Sequence, residues 1–474
     1  MHSVQERPPR WPPAQSIPGA RARLLGFLVA VAILGSGVRL TEAQAAPFVT
    51  EVVIASSTSG KNQSNPSVVL DPSGVLYVAW DEDVVGNRSV FLTRSTDKGQ
   101  TFATPVRVAN GASGNQTNPA LTVDSSGTLF LAWEDRSGGD SDISVAKSTG
   151  AWNSFGAPAK ASDGLGGSDQ IGPSVVLSGG TVYVAYEDRQ SDRDIRVAVT
   201  PSASLAFGSS VRVNDDAGNA WQEAPSLAVD SANTVYVAWY DRRNVDPLVY
   251  ISRSANGGAT WSTNARVSEA SATGPEFEPD VVVHGGRVDV VWQDGRSGVG
   301  REIFFASAPA STVAFVASVK VSGGTAAVNR RLPSLAVDPD GTLHVAWQDF
   351  RNGVHDVYYA ASHDAGLTFA EVRVNRAPGD AVLDKASPDL AAGGGGAVYI
   401  VWEDERPNDA RVVLAASSSG GGGNGNVGSL LPWVVLAVFV VVAAIALIAW
   451  RRRRTANVRA PKKQRGRGGG KGRR

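Results

Sequence analysis

An aromatic residue followed two positions later by aspartate, and then by arginine, recurs along this chain. The pairs are Asp135/Arg136, Asp188/Arg189, Asp241/Arg242, Asp294/Arg296, Asp349/Arg351 and Asp404/Arg406. A guanidinium beside a carboxylate makes a charge-assisted fork. An acid follows in several copies, at Asp142, Asp194, Glu302 and Asp356, so each set is expected to close its own loop. Near-identical sets are architecture, because a site needs one unlike set of residues. Function is therefore expected where the copies depart from their consensus: Trp221 and Glu223, Tyr240 and Arg243, Glu276 and Glu278, Arg330 and Arg331, Asp384 and Lys385. These supply aromatic faces, carboxylates and cations. The histidines, His2, His284, His344, His355 and His363, show no metal-ligand spacing, and no phosphate loop, Gly-x-Ser-x-Gly elbow or His-Glu-x-x-His motif is present. No cofactor is implied; only the cluster Asp81, Glu82 and Asp83 offers oxygens suited to Ca²⁺.

The elements that must position these groups are short strands. Leu332 to Asn375 reads as four of them, PSLAVD, TLHVAWQD, DVYYAAS and EVRVN. The first two are joined by Asp338-Pro339-Asp340-Gly341, in which proline and glycine favour a tight reversal. One such sheet cannot bury both faces by itself. The unit is repeated: its opening proline returns at Pro66, Pro119, Pro173, Pro225, Pro279, Pro333 and Pro388. Thirteen or fourteen residues after each stands Trp80, Trp133, Tyr186, Trp239, Trp292, Trp347 or Trp402. Seven four-stranded antiparallel units of near-constant length predict an all-β, seven-bladed β-propeller. The last unit holds only three strands, whereas Thr50 to Gln63 resembles a fourth strand and exit loop. The N-terminal strand is therefore expected to complete the last blade and close the ring.

The flanks read differently. Arg21 and Arg23 precede an apolar run, Leu24 to Val38, and Ala43-Gln44-Ala45 offers small residues for cleavage, so 1–45 reads as a signal peptide. The propeller is assigned to 46–416 and a Gly/Ser-rich linker to 417–429. Residues 430–450 carry no charge, and a helix of that length spans about 31 Å, the thickness of a hydrocarbon core. The tail 451–474 holds twelve Lys or Arg and no acid, which predicts a single-pass protein with a cytoplasmic tail and an extracellular propeller. The net charge of zero hides this polarity: without the tail (12 basic) and 1–45 (5 basic, 2 acidic), 28 basic and 43 acidic residues remain, about −15. An acidic propeller argues against nucleic acid as its partner. Cysteine is absent, so disulfides and thiolate chemistry are excluded. Sequons stand at Asn62, Asn87 and Asn115.

Three turns carry a family resemblance. Ser95-Thr96-Asp97-Lys98-Gly99-Gln100-Thr101-Phe102 and Ser362-His363-Asp364-Ala365-Gly366-Leu367-Thr368-Phe369 match the Asp-box, Ser/Thr-x-Asp-x-Gly-x-Thr-Trp/Phe; Ser254 to Trp261 repeats it with Asn256 for aspartate. Over most of residues 50–416 the chain resembles the sialidase superfamily and its Asp-box, BNR-repeat relatives. The box does a structural job: Asp97, Asn256 and Asp364 accept backbone N–H bonds, and the aromatic packs inward. Because strands alternate in direction, the boxes lie on the opposite end of the propeller from the Trp-x-Asp loops, and in sialidases that second end holds the active site. The resemblance implies an arginine triad for a substrate carboxylate, a tyrosine–glutamate nucleophile pair and an aspartate acid/base. Arg331-Leu332-Pro333 matches the family's Arg-x-Pro motif, though in the sixth repeat rather than the first. On that reading Tyr240 and Glu223 stand for the nucleophile pair, with Arg243, Arg330 and Arg331 as carboxylate clamps.

The preferred function is a cell-surface recognition propeller that binds an extracellular glycan or a surface protein. An exo-sialidase or related glycoside hydrolase is the alternative, and a structural surface-layer protein a third.

Overall fold

The computed structural model describes residues 48–54, 61–108, 114–163, 167–190, 192–324, 328–375, 385–405 and 410–417. The signal peptide, the linker beyond Ser417, the apolar stretch 430–450, the basic tail, Asp384 and Arg406 lie outside them. Among the described residues no helix is long and apolar enough to cross a membrane.

Seven antiparallel sheets follow one another around a central channel, and their blades span 63–107, 116–160, 170–212, 222–266, 276–320, 330–373 and 385–417. In each blade the first strand lines the channel and the fourth lies outermost. The second blade adds a short strand, Ala151–Phe155. The seventh takes its outer strand from the N-terminus: Phe48–Val53 runs antiparallel to Arg411–Ser417. The ring is thus clasped by the two ends of the propeller, as the missing fourth strand predicts.

The repeat aromatics are the cores of the blade interfaces. Trp80, Trp133, Tyr186, Trp239, Trp292, Trp347 and Trp402 are all essentially buried. A buried indole N–H needs an acceptor. Trp133, Trp239, Trp292 and Trp347 donate to the aspartate two residues on, at 2.9–3.3 Å, and Trp80 donates to Glu82. That need explains the Trp-x-Asp spacing.

The prolines mark a bulge in every inner strand. Proline has no N–H for the ladder, and pairing skips at each one, as between Ser64 and Ser67. The residue before it is left-handed in all seven blades: Asn65, Asn118, Gly172, Ala224, Glu278, Leu332 and Ser387 have φ of 47° to 62°. Six of these are not glycine, and each costs about 1–2 kcal/mol. The residue after the proline binds the neighbouring blade. Ser67, Ser174, Ser226, Asp280, Ser334 and Asp389 each accept the backbone N–H at the equivalent step of the next blade, from Leu121, Leu227, Val281, Leu335, Leu390 and Val68. Ala120 replaces the acceptor between the second and third blades.

The loop forks differ from the sequence expectation. Arg243, Arg296 and Arg351 each hold their own aspartate (Asp241, Asp294, Asp349) and a second acid (Asp215, Glu269, Glu371). The third-strand acids belong instead to the outermost strand: Lys160 meets Asp142, Arg212 meets Asp194, Lys320 meets Glu302 and Arg373 meets Asp356, at 2.5–3.7 Å. The reason is register. Each of these acids sits opposite the carboxylate two residues after the aromatic, as Asp349 opposite Asp356, so like charges turn apart and the third-strand acid takes a cation of the outermost strand.

Candidate functional site at the channel mouth

The Asp-boxes close the opposite end of the propeller. Asp97 accepts from the Thr101 N–H (2.9 Å) and hydroxyl (2.5 Å), while Ser95 accepts from the Gly99 N–H. These donors hold the Asp97 carboxyl down at about 2. Asn256 keeps the same acceptor toward Thr260, and Asp364 toward Thr368.

At the other end the first strands and the Trp-x-Asp strands form the mouth of a channel cavity of about 390 Å³, ringed by the repeat prolines. The residue just after each aromatic differs around the ring; in the third blade it is Glu187, which Arg189 and Arg193 hold. In the seventh, first and second blades it is Glu403, Asp81 and Glu134. Each accepts the left-handed N–H of the next blade: Glu403 from Asn65, Asp81 from Asn118 (3.1 Å), Glu134 from Gly172 (3.0 Å). Burial pushes the Glu403 carboxyl up to about 7. In the fourth, fifth and sixth blades the same position is Tyr240, Gln293 and Gln348.

On that second half the side chains form one array. Glu223, at the start of the fourth blade's inner strand, lies opposite Tyr240 on the adjacent strand. Its carboxylate is gripped by Arg193 and by Arg242 Nε at 2.6 Å. Arg193 also reaches Glu187 (3.5 Å) and stacks 4.0 Å over Trp221, which is 46% exposed. Tyr240 meets Phe277 edge-on at 5.3 Å, and Arg301 lies 4.2 Å over the same Phe277 ring. Arg301 Nη1 donates to Gln293 Oε1 at 3.2 Å.

Burial, then the charges of Glu223 and Glu278, push the Tyr240 phenol well above its ordinary value. Burial and Glu223 likewise raise the Glu278 carboxyl. Arg301 moves down, through burial and then the nearby Arg331 cation, against the pull of Glu278. Neither Arg301 nor Arg331 has an ion pair among the described residues, and Arg331 is exposed. Two cations without ion pairs beside a partly exposed aromatic ring can receive an anion and the apolar face of a sugar.

The sequence-selected residues separate cleanly. Trp221, Glu223, Tyr240, Glu278 and Arg331 belong to this array. Arg243 is turned outward into the fork with Asp241 and Asp215 and over Tyr250. Glu276, Arg330 and Lys385 open the inner strands of their blades and are buried. Glu276 accepts the Val249 N–H, Arg330 holds Asp349 at 2.9 Å and the Gly323 carbonyl, and Lys385 holds Asp404 at 2.9 Å. Their blades depart from the glutamine that stands there as Gln63, Gln116, Gln170 and Gln222, but the position faces the acid two residues after the aromatic in every blade. Sequence reasoning missed Arg193, Arg242, Arg301, Glu187, Phe277 and Gln293. A signal existed: Arg193 and Arg301 each directly precede a third-strand acid, and Arg242 directly follows its aspartate whereas the fork arginine comes one later.

Residues 181–388 match the BNR repeat-containing family. No curated protein sequence matches the chain. Among solved structures, an ulvan lyase of a polysaccharide lyase family superimposes with a TM-score of 0.56 at 11% identity, over 77% of this chain and 95% of that one. The ulvan lyase bound to a GlcA-containing saccharide gives 0.52 at 11%, over 78% and 94%. A Hadza microbial sialidase gives 0.42 at 17%, over 75% and 65%. Fold and repeat match together define a seven-bladed β-propeller whose residues 181–388 are similar to BNR repeats.

Proposed function

We propose that this protein is a recognition module for acidic glycans, which it binds at the channel mouth between the fourth and sixth blades. The observation that carries the reading is the pair Arg301 and Arg331, neither of which forms an ion pair among the described residues: Arg301 lies over the Phe277 ring, and its carbonyl accepts the N–H of Arg330, the chain neighbour of Arg331. Arginines present a planar fork that suits a sugar carboxylate, and aromatic faces suit the apolar face of the ring. The ulvan lyase of the same fold, bound to a GlcA saccharide, accords with this ligand class. The test is calorimetry of the purified protein with a glucuronate-containing oligosaccharide and its neutral counterpart. Binding of the acidic one alone, weakened by salt and lost in Arg331→Ala, is expected; equal affinity for both would sink the reading.

A second reading, a sialidase-like glycoside hydrolase, is favoured by Tyr240 lying opposite Glu223. Two arginines already grip Glu223 and the phenol is harder to ionise than usual, which weakens the pair as a nucleophile. Release of the fluorophore from a fluorogenic sialoside, abolished in Tyr240→Phe, would establish it. The extracellular, membrane-anchored placement rests on the apolar stretch 430–450 and its basic tail. Protease added to intact cells is expected to remove the propeller and spare the tail.

A further inference from the structure

The braced half of the mouth shows how this propeller treats a carboxylate. Three times, a carboxylate just after the repeat aromatic caps the left-handed N–H before the next proline. The repeat places the same N–H group at Glu278, Leu332 and Ser387, opposite Tyr240, Gln293 and Gln348, and among the described residues no side chain accepts from it there. The three positions are not equal. At Glu278 the residue brings its own carboxyl, which repels a second anion. Opposite Ser387, Gln348 donates to the Lys385 carbonyl at 2.7 Å, and Lys385 is spent on Asp404. At Leu332 the side chain is neutral and lines the channel cavity. Arg331 is its chain neighbour, and Gln293 Oε1 is turned to Arg301.

We propose that the Leu332 N–H, flanked by Arg331 and Arg301, seats a carboxylate of the bound ligand in the place where other blades put their own Glu or Asp. Gln293 is the specificity-determining residue, because an acid there would fill the seat from within. The inference deepens the acidic-glycan reading and rests on it: the ligand's carboxylate enters where Glu134 and Asp81 sit in their blades, which points its ring toward Phe277.

The experiment uses the full-length protein labelled with ¹⁵N-leucine, the Leu332 amide signal being assigned by its loss in Leu332→Met. Acetate and glucuronate are titrated as probes. A saturable shift of the Leu332 amide is expected with both. In Gln293→Glu the shift is expected to vanish and glucuronate affinity to fall about tenfold or more, the scale of one hydrogen bond to a charged group. Leu367→Glu, an added acid on an exposed Asp-box turn at the opposite end of the propeller, is expected to bind as the wild type does. A Leu332 amide that ignores both probes overturns the seat, and so does Gln293→Glu binding glucuronate at wild-type strength. Equal loss in Leu367→Glu would assign the effect to net charge and overturn it too. If acidic oligosaccharides bind while Leu332 stays still, the seat falls and the glycan reading stands. If acetate and glucuronate move Leu332 but no oligosaccharide binds, the glycan reading falls instead.

Discussion

The two halves of the channel mouth are built on one repeat and do opposite things with it. From the seventh to the second blade, the residue after the aromatic is an acid that caps a left-handed N–H in the next blade. From the fourth to the sixth it is Tyr240, Gln293 or Gln348, and the charge at the mouth comes from arginines on other strands. One half therefore spends its carboxylates on holding blades together. The other leaves cations and aromatic faces for something outside. In a repeat fold, a site arises where a brace is omitted, because each omission frees a donor that the backbone geometry already aims.

Neighbouring residues give the sharpest way to break this contrast. Arg330 and Arg331 are consecutive on one strand, the first fully buried on Asp349 and the second exposed at the mouth. Arg330→Ala is expected to cost about 1.5–3 kcal/mol in urea unfolding, because it removes a buried charge-assisted bond from Asp349, which Arg351 still holds. Arg331→Ala is expected to stay within about 0.5 kcal/mol of wild type yet lose the acidic saccharide. Equal destabilisation by both would end the distinction. A smaller effect probes the brace itself: Glu134→Ala frees the Gly172 N–H and the Asn118 amide. About 1–3 kcal/mol of stability is expected to go, with saccharide affinity untouched; a drop in affinity would mean that the halves are not separate.

The smallest effect is a pH dependence at the seam where the seventh blade meets the first. Glu403 is raised to about 7 and Asp389 to about 6, chiefly by burial. Around Glu403 stand the Ser64 hydroxyl, the Asn65 N–H and the charges of Glu405 and Asp81; around Asp389 stand the Val68 N–H, the Ser334 hydroxyl and Asp280. A carboxyl raised in the folded state adds stability that is complete below its unfolded value and is lost as pH rises through its folded value. The melting temperature is therefore expected to fall from about pH 4.5 to about pH 7. Glu403→Gln is expected to flatten the upper part of that fall, and an unchanged profile would remove Glu403 from the account.

Much of the architecture was legible because it is periodic. Seven prolines and seven aromatics at matching offsets give seven blades, and a blade lacking its fourth strand calls for the N-terminal one. The observed clasp is Phe48–Val53, starting slightly earlier than the stretch that resembles a fourth strand. The site was half legible. Trp221, Glu223, Tyr240, Glu278 and Arg331 were marked by departure from the repeat, but so were Glu276, Arg330 and Lys385, whose position faces inward in every blade. Departure alone does not say which way a side chain points, since a one-residue step on a strand changes its face. Arg242 and Arg243 make the same point, one at the mouth and the other in a fork.

What the sequence determined by itself is the blade: strand order, the buried aromatic with its aspartate, the Asp-box turn and the ring count, all set by local spacing and the need to bury one sheet against the next. What only the tertiary structure decided is which charges meet. Arg193, Arg301 and Arg331 come from three different blades, and the packing of successive blades brings them to one end of the propeller. Local spacing carries no record of a neighbour that far along the chain, whereas desolvation and mutual repulsion act only on groups that the fold has brought together.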